Sequence, residues 1–300
     1  HRHCTDLVFR HLSWRTIVVQ SHAKLSYKNG YMIARGEDVK MVHLSEINTV
    51  IIDSTQVSVT SYLLCEFVKR KIKVIFCDEK RNPCSELMSY YGAYNSSKKI
   101  RKQMKWDIEY ARRVWTYIVR QKILNQAEIL SKYGFETNIK LMQYAGEVEL
   151  FDMTNREAHA AKVYFNSLFG KEFSRDDVNS INAALNYGYG ILLSNFNKEI
   201  VSDGYLTQLG IKHTNEYNPY NLSCDLMEPF RVLVDEIVFN NIDKTFDSNY
   251  KIQLVNVLNK RINYCGREYY VTNAIQVYLD KIFGAIEQKN FIASIIYQFE

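Results

Sequence analysis

The sequence has few of the residues that end helices, with three prolines and twelve glycines among 300 residues. Only Pro219 and Pro229 lie beyond residue 94, so the last two-thirds of the chain can form long helices. Apolar residues make up 47% of the chain, enough for a substantial core, but no unbroken apolar run is long enough to cross a bilayer. We therefore expect a globular protein of two domains that is not inserted in a membrane.

The absence of certain cysteine and glycine motifs excludes some kinds of site. The six cysteines form no CxxC pair and have no zinc-like spacing with histidine, which suits a reduced compartment. No glycine-rich phosphate loop of the Walker or dinucleotide type is present, so the sequence does not support a nucleotide-driven mechanism. There is no secretion signal, and we expect a cytoplasmic protein. Residues 1–12 are left unassigned.

Residues 13–93 have mainly the pattern of strands. Short β-branched runs cover residues 15–20, 39–44, 47–54 and 73–78. Asn29-Gly30 lies between two further short segments and predicts a two-residue hairpin turn. Between these runs, residues 57–71 have apolar side chains at helical spacing. The pattern predicts a small β-rich domain that contains one helix.

Residues 94–300 have the periodicity of helices. The predicted helices cover residues 100–133, 155–169, 181–202, 230–240, 252–258 and 270–286. In the fourth, Phe230, Leu233, Val234, Ile237 and Val238 have the spacing of a buried stripe. The fold class predicted is therefore α+β, with a small N-terminal β-rich domain followed by a larger all-α C-terminal domain.

Positive charge is concentrated in one segment of the chain, whose net charge is +5. Between residues 98 and 122, nine basic residues stand against two acidic ones and alternate with Trp106, Tyr110, Trp115 and Tyr117. The nine are Lys98, Lys99, Arg101, Lys102, Lys105, Arg112, Arg113, Arg120 and Lys122. Such a segment can follow a phosphate backbone. Composition alone favours the other interpretation, a solvated helix face whose aromatic side chains pack inward.

Two candidate groups for catalysis have an ordinary structural interpretation as well. Glu157 follows Thr154 by three residues, the spacing of a capping box, which would explain this carboxylate without any metal. His213 lies in a polar stretch after a helix, where a single histidine is usually structural or exposed. From the local sequence alone, the structural interpretation is favoured for both residues.

The third candidate group is Asp225 and Glu228. In a helix, their i, i+3 spacing would let both carboxylates converge on one cation. Ser223 is a possible cap, and Pro229 indicates either a kink or a second helix that starts there. The alternative is that these acidic residues only complement the positive end of a helix. One histidine with two or three carboxylates suits Mg²⁺ or Mn²⁺ better than zinc.

The sequence closely resembles the CRISPR-associated spacer integrases, the first of the universal CRISPR adaptation proteins, in their type II-A form. In the β-rich part the resemblance rests on residues 13–16, 25–29, 43–47, 74–78 and 91–92. In the helical part it rests on residues 155–157, 164–166, 181–183 and 185–189, on His213, and on residues 225–231. It extends over nearly everything after residue 12.

The resemblance implies roles for these residues. Glu157, His213 and Glu228 correspond to the family's metal ligands, and Asp225 to a nearby acidic residue that assists. The implied reaction is a transesterification, in which the 3′-hydroxyl of a captured DNA fragment attacks a phosphate at the border of a CRISPR repeat, with associated endonuclease activity. Arg231 and basic residues of the 98–113 segment would hold the duplex. A ligand role for His213 predicts loss of activity at acidic pH, because only the neutral ring binds a metal.

The resemblance also implies an assembly. The β-rich domain would form a homodimer, and a small CRISPR adaptation protein would bridge two such dimers. Two other functions stay open: a non-catalytic DNA-binding scaffold in which Glu157 is only a cap, and a stand-alone nuclease that repairs branched DNA.

Overall fold

A computed structural model describes residues 15–89, 93–289 and 297–298. Residues 1–14 and 90–92, which include four residues of the resemblance (Ser13, Trp14, Tyr91 and Gly92), lie outside the described part. The chain divides into two compact units between Met88 and Ser89. No described helix is long and apolar enough to span a bilayer.

The first unit is built from strands and one helix. Its elements are β1 (Arg15–Val19), β2 (Ala23–Lys28), β3 (Tyr31–Arg35), β4 (Val39–His43), β5 (Ile47–Ile52), β6 (Val57–Val59), α1 (Ser61–Lys69), β7 (Lys73–Cys77) and β8 (Pro83–Leu87). One sheet has the order β1-β5-β7-β8, with β1, β5 and β7 parallel, and the other has the order β4-β3-β2-β6. The predicted hairpin is β2–β3, and its register pairs Lys28 with Tyr31 across Asn29-Gly30.

Burial explains the strand pattern of this unit. Every residue of β5 is buried, as expected for a central parallel strand covered on both faces. Leu63 and Phe67 of α1 join Leu25, Val50 and Val74 in one core. The N-terminus of α1 is capped by the Thr60 hydroxyl, which accepts a hydrogen bond from the Leu63 amide.

The second unit is mainly helical. Its elements are α2 (Ser96–Gln103), α3 (Ile108–Lys132), α4 (Asn138–Gly146), α5 (Arg156–Phe169), α6 (Ser180–Ser202), α7 (Asn221–Met227), α8 (Val232–Phe239), α9 (Ser248–Val255), β9 (Arg261–Tyr264), β10 (Arg267–Tyr270), α10 (Val271–Gln288) and β11 (Tyr297–Gln298). The α+β fold class is confirmed. The expectation of an all-α second domain was wrong in one detail, because β9 and β10 form an antiparallel hairpin.

Several helices differ from the predictions: α4 was not predicted, and α9 begins at Ser248 instead of residue 252. The helix predicted over residues 100–133 is interrupted, because the Asp107 carboxylate caps a new helix, α3, by accepting a hydrogen bond from the Glu109 amide. Ser223 is not a cap, since it is buried inside α7. Pro229 lies in a short 3-10 turn between α7 and α8, which satisfies its preference for the first turn of a helix. This turn places Glu228 beside the long helix α3.

Candidate active site

Glu157 lies in the first turn of α5, and its carboxylate is free of any capping role. The Asp152 carboxylate caps this helix, because it accepts hydrogen bonds from the amides of Arg156 (2.8 Å) and Glu157 (3.1 Å). Thr154 Oγ1 is buried without a hydrogen-bond partner. The capping-box interpretation of Thr154 and Glu157 was therefore wrong, and the side chain of Glu157 is available to the site.

Glu157 and Glu228 converge on one ammonium group. Lys122 Nζ, on α3, lies 2.7 Å from Glu157 Oε1 and 2.6 Å from Glu228 Oε2. The Glu228 side chain is only 5% exposed, and its other oxygen, Oε1, accepts a bond from Arg231 Nη2 at 2.9 Å. Burial opposes ionisation of Glu228, but the charges of Arg231 and Lys122 outweigh it and hold the pKa of this carboxyl below its usual value. Glu228 is thus an anion at neutral pH.

His213 is held by Asp225 rather than by the two glutamates. Its Nδ1 lies 2.5 Å from Asp225 Oδ1, and this hydrogen bond, ahead of the opposing effect of burial, raises the pKa of the imidazole. The charges of Glu228 and Glu157 raise this pKa further. With Nδ1 engaged, Nε2 is the ring nitrogen available to a ligand.

Asp225 organises the loop that carries His213. Its fully buried carboxylate accepts hydrogen bonds from the amides of Ile211 (2.6 Å), Lys212 (2.9 Å) and His213 (3.2 Å), in addition to the imidazole contact. Gly210 makes the close approach possible, since a Cβ there would lie 2.3 Å from the His213 carbonyl oxygen. The expected convergence of Asp225 and Glu228 on one cation is not observed, because Asp225 faces this loop whereas Glu228 faces Lys122 and Arg231. Asp225 is a positioning residue in this arrangement.

As placed, no three His, Cys, Asp or Glu side chains among the described residues are close enough to hold a metal ion. The donor set nonetheless fits one. Two carboxylates already share a cation, the Lys122 ammonium, and Glu228 Oε2 is buried with no hydrogen bond of good geometry despite its short ion pair. A buried acceptor satisfied only by charge is a suitable ligand for Mg²⁺ or Mn²⁺. The imidazole of His213 would add a nitrogen ligand through Nε2.

The basic residues of the α2–α3 segment have different surroundings. Lys98, Arg101 and Lys105 are exposed and line an open groove with Trp106 and Lys289. By contrast, other members of the run are paired: Lys99 and Lys102 with Glu287, Arg112 with Glu109, and Lys122 with the two site glutamates. Arg120 donates to two backbone carbonyls of the second unit. Arg231 pairs with Glu228, and Arg113 is exposed beside the Tyr110 ring.

The aromatic side chains of this segment pack inward. Trp115 is buried and meets the His213 ring edge-on at 6.1 Å between centroids. Trp106 packs against Tyr205 and Phe283. This packing agrees with the alternative of an ordinary helix face for the aromatic side chains. Lys98, Arg101 and Lys105 nonetheless face the open groove.

Sequence reasoning missed two members of the site. Lys122 was grouped with the exposed basic residues, although its spacing from Ile118, Gln126 and Ile129 places it on the buried face of α3. Asp152 was not predicted as the cap of α5, because the spacing of Thr154 and Glu157 is that of a capping box. The signal for Asp152 is weak in sequence, since its role depends on the left-handed backbone of Asp152 and Asn155.

Comparison with known proteins places these features in a family. Residues 16–258 match the family model described as CRISPR associated protein Cas1. The chain is 31% identical over 286 residues to the CRISPR-associated endonuclease Cas1 of Neisseria meningitidis serogroup C, and the alignment covers 93% of this chain and 94% of that protein.

Two solved structures have the same fold. A casposase bound to integration product superposes with a TM-score of 0.74 at 18% identity, covering 94% of this chain and 93% of that one. A Cas6-RT-Cas1–Cas2 complex gives a TM-score of 0.60 at 20% identity, covering 95% of this chain and 33% of that one.

Proposed function

This chain belongs to the Cas1 family of CRISPR-associated proteins, and we propose that Glu157, His213 and Glu228 form its divalent-metal site. The chain is a CRISPR adaptation integrase and endonuclease, and therefore an enzyme. The observation that supports the proposed site is the convergence of Glu157 and Glu228 on one buried cation, beside an imidazole whose Nδ1 is fixed by Asp225.

The proposed reaction joins the 3′-hydroxyl ends of captured DNA to the repeat borders of a CRISPR array. Mg²⁺ or Mn²⁺ bound by Glu157, His213 and Glu228 would polarise the scissile phosphate and stabilise the charge of an in-line displacement. Arg231 keeps Glu228 ionised and fixes one of its oxygens. Asp225 keeps His213 oriented through Nδ1. The exposed Lys98, Arg101 and Lys105 hold the phosphate backbone of the duplex.

The contacts of Arg231 support another role than the DNA contact that the resemblance implies. Its guanidinium donates to Glu228 and lies 4.8 Å from the centroid of the Tyr189 ring. Burial lowers the pKa of Arg231, but the charge of Glu228 raises it more, so the group stays charged. We propose that Arg231 positions Glu228, and that DNA contacts come from the exposed residues of the α2–α3 segment.

The partners of the proposed reaction follow from the family. They are double-stranded DNA, as prespacer and as CRISPR leader-repeat, a second copy of the chain, and a small adaptation protein of the Cas2 kind that bridges two dimers. The β-rich unit is the proposed dimerisation domain and residues 94–300 the proposed catalytic domain. The type II-A form, suggested by motifs such as residues 225–231, and a cytoplasmic location are parts of the same proposal.

Strand joining tests the site directly. A short duplex with free 3′-hydroxyl ends is mixed with a supercoiled plasmid that carries a repeat, in Mn²⁺, and joined products are counted. Glu157→Gln and Glu228→Gln should reduce joining at least 100-fold while DNA binding and the circular dichroism spectrum are kept. Glu268→Gln, a change at an exposed carboxylate of β10, serves as the matched control.

The outcomes separate the competing functions. If Glu157→Gln folds, binds DNA and joins strands at the normal rate, the scaffold function is favoured. If the unaltered protein degrades branched DNA without the small partner and shows no preference for repeat borders, it is a repair nuclease instead.

A further inference from the structure

We propose that Lys122 is a tethered cation that competes with the divalent metal for Glu157 and Glu228, and so sets the metal concentration at which the site fills. The inference rests on the proposed metal site. Its basis is the position of one ammonium within 2.7 Å of one carboxylate and 2.6 Å of the other. A cation bound by both carboxylates would have to occupy the space that Nζ occupies.

Lys122 is fixed at this position by its helix. The side chain is only 12% exposed, unlike that of Lys102 on α2, which is 49% exposed. One turn further along α3, Asn125 donates to the carbonyl oxygen of Pro229 at 2.8 Å, next to Glu228 in sequence. Gln121 in turn donates to Asn125 at 2.7 Å. The buried polar face of α3 is therefore attached to the turn that carries Glu228, and Lys122 is held between the two carboxylates.

The charges of the cluster indicate competition rather than cooperation. Two carboxylates face two cations, Lys122 and Arg231, so the group is balanced. A divalent ion on both carboxylates would place two further positive charges beside Lys122, which like-charge repulsion at this distance disfavours. Arg231 can remain, because it contacts Glu228 Oε1 and not the oxygen shared with Lys122. Metal binding therefore requires the ammonium of Lys122 to leave.

The contact with Glu228 is suited to exchange. Glu228 Oε2 is buried and makes no hydrogen bond of good geometry, although Lys122 Nζ is 2.6 Å away. A metal ion would replace this ion pair with a short coordinate bond. Lys122 thus stabilises the carboxylates when no metal is bound, at the cost of weaker metal binding.

Removal of the charge tests the inference. Lys122→Met removes the charge and keeps an unbranched side chain that is one atom shorter. Mn²⁺ affinity is measured by calorimetry, with thermal unfolding in parallel. We expect Mn²⁺ to bind at least tenfold more tightly, the Tm without metal to fall, and the rise in Tm on adding Mn²⁺ to exceed that of the unaltered protein. An unchanged or weaker Mn²⁺ affinity in a folded variant would overturn the inference.

Lys260→Met is the matched control. Lys260 and Lys132 both contact the buried Glu236, so the change removes one of two lysines from a buried glutamate outside the site. This variant should lose stability and bind Mn²⁺ with unaltered affinity. A tighter Mn²⁺ affinity in Lys260→Met as well would attribute the effect to net charge and contradict a specific role for Lys122.

A second measurement uses the unaltered protein and needs no variant to fold. Lysines are labelled by reductive methylation with and without Mn²⁺, and the peptides are measured by mass spectrometry. Labelling of Lys122 should increase at least threefold with Mn²⁺ while that of Lys260 stays constant; no increase at Lys122 would refute its release.

His213→Ala separates the two proposals. If His213→Ala weakens Mn²⁺ binding and Lys122→Met does not strengthen it, only the role of Lys122 fails, whereas an unaltered affinity in His213→Ala refutes the metal site itself.

Discussion

Replacing Asp225 by Asn should damage both the stability of the protein and its metal site. The carboxylate is fully buried and accepts three backbone hydrogen bonds and one from the His213 ring. The Asn side chain keeps one acceptor oxygen, while its amino group would face N–H donors. Hydrogen bonds to a charged group are each worth roughly 1.5–3 kcal/mol, and leaving buried donors unsatisfied adds to the loss. We expect the free energy of unfolding to fall by about 3–5 kcal/mol.

Urea unfolding followed by circular dichroism measures this loss, and calorimetry measures Mn²⁺ binding in the same variant. Because Asp225 fixes the ring that would bind the metal, Mn²⁺ affinity should fall roughly 10–100-fold. The control is Asp247→Asn, at an exposed cap where the carboxylate accepts a hydrogen bond from the Tyr250 amide, which should cost well under about 1 kcal/mol. An Asp225→Asn variant within about 0.5 kcal/mol of the unaltered protein would refute the role of this carboxylate in holding the loop.

Three further predictions address the core, the packing and the DNA surface. Burial raises the pKa of Asp235 to about 6 despite a 2.5 Å bond from the Tyr189 hydroxyl. The stability that this shift contributes is complete below about pH 4 and is lost as pH rises through 6, so Asp235→Asn should remove about 2 kcal/mol of the difference in unfolding free energy between pH 4.5 and pH 7.5, measured by urea unfolding. Gly188→Ala would place a Cβ 2.4 Å from Val234 Cγ1 and should lower the free energy of unfolding by about 1–2 kcal/mol, whereas a stabilised variant would contradict the tight packing of α6 on α8. A triple variant with Lys98→Gln, Arg101→Gln and Lys105→Gln should bind DNA more weakly. The slope of the logarithm of its DNA-binding constant against the logarithm of salt concentration should be smaller in magnitude by about 3. An unaltered slope would exclude this groove as a DNA surface.

The β-rich unit follows closely from local sequence patterns. Asn29-Gly30 supplies the left-handed backbone of the β2–β3 turn, with φ of 49° and 87°, so the hairpin is specified by two residues. β5 is buried along its whole length, Asn48 and Thr49 included, as in a strand covered on both faces. The β9–β10 hairpin, whose turn is Cys265-Gly266, was not predicted, because each of its strands has only four residues.

The active-site residues were predicted from the resemblance rather than from spacing. Spacing favoured a capping role for Glu157, and the structure shows that Asp152 takes this role instead. Nothing in the local sequence indicates that Asp225 faces the loop of residues 211–213, because this contact depends on how α7 packs beside that loop. The position of Lys122 depends in the same way on contacts between α3, α5 and the turn at Pro229, which are distant in sequence.

A crystal soaked in Mn²⁺ and measured for anomalous scattering tests the central claim most directly. The account predicts one Mn²⁺ peak, with Glu157, Glu228 and His213 Nε2 within about 2.0–2.6 Å of the ion and Lys122 Nζ displaced from both carboxylates. A peak elsewhere, or an imidazole of His213 that stays remote from the two glutamates when Mn²⁺ is bound, would contradict it.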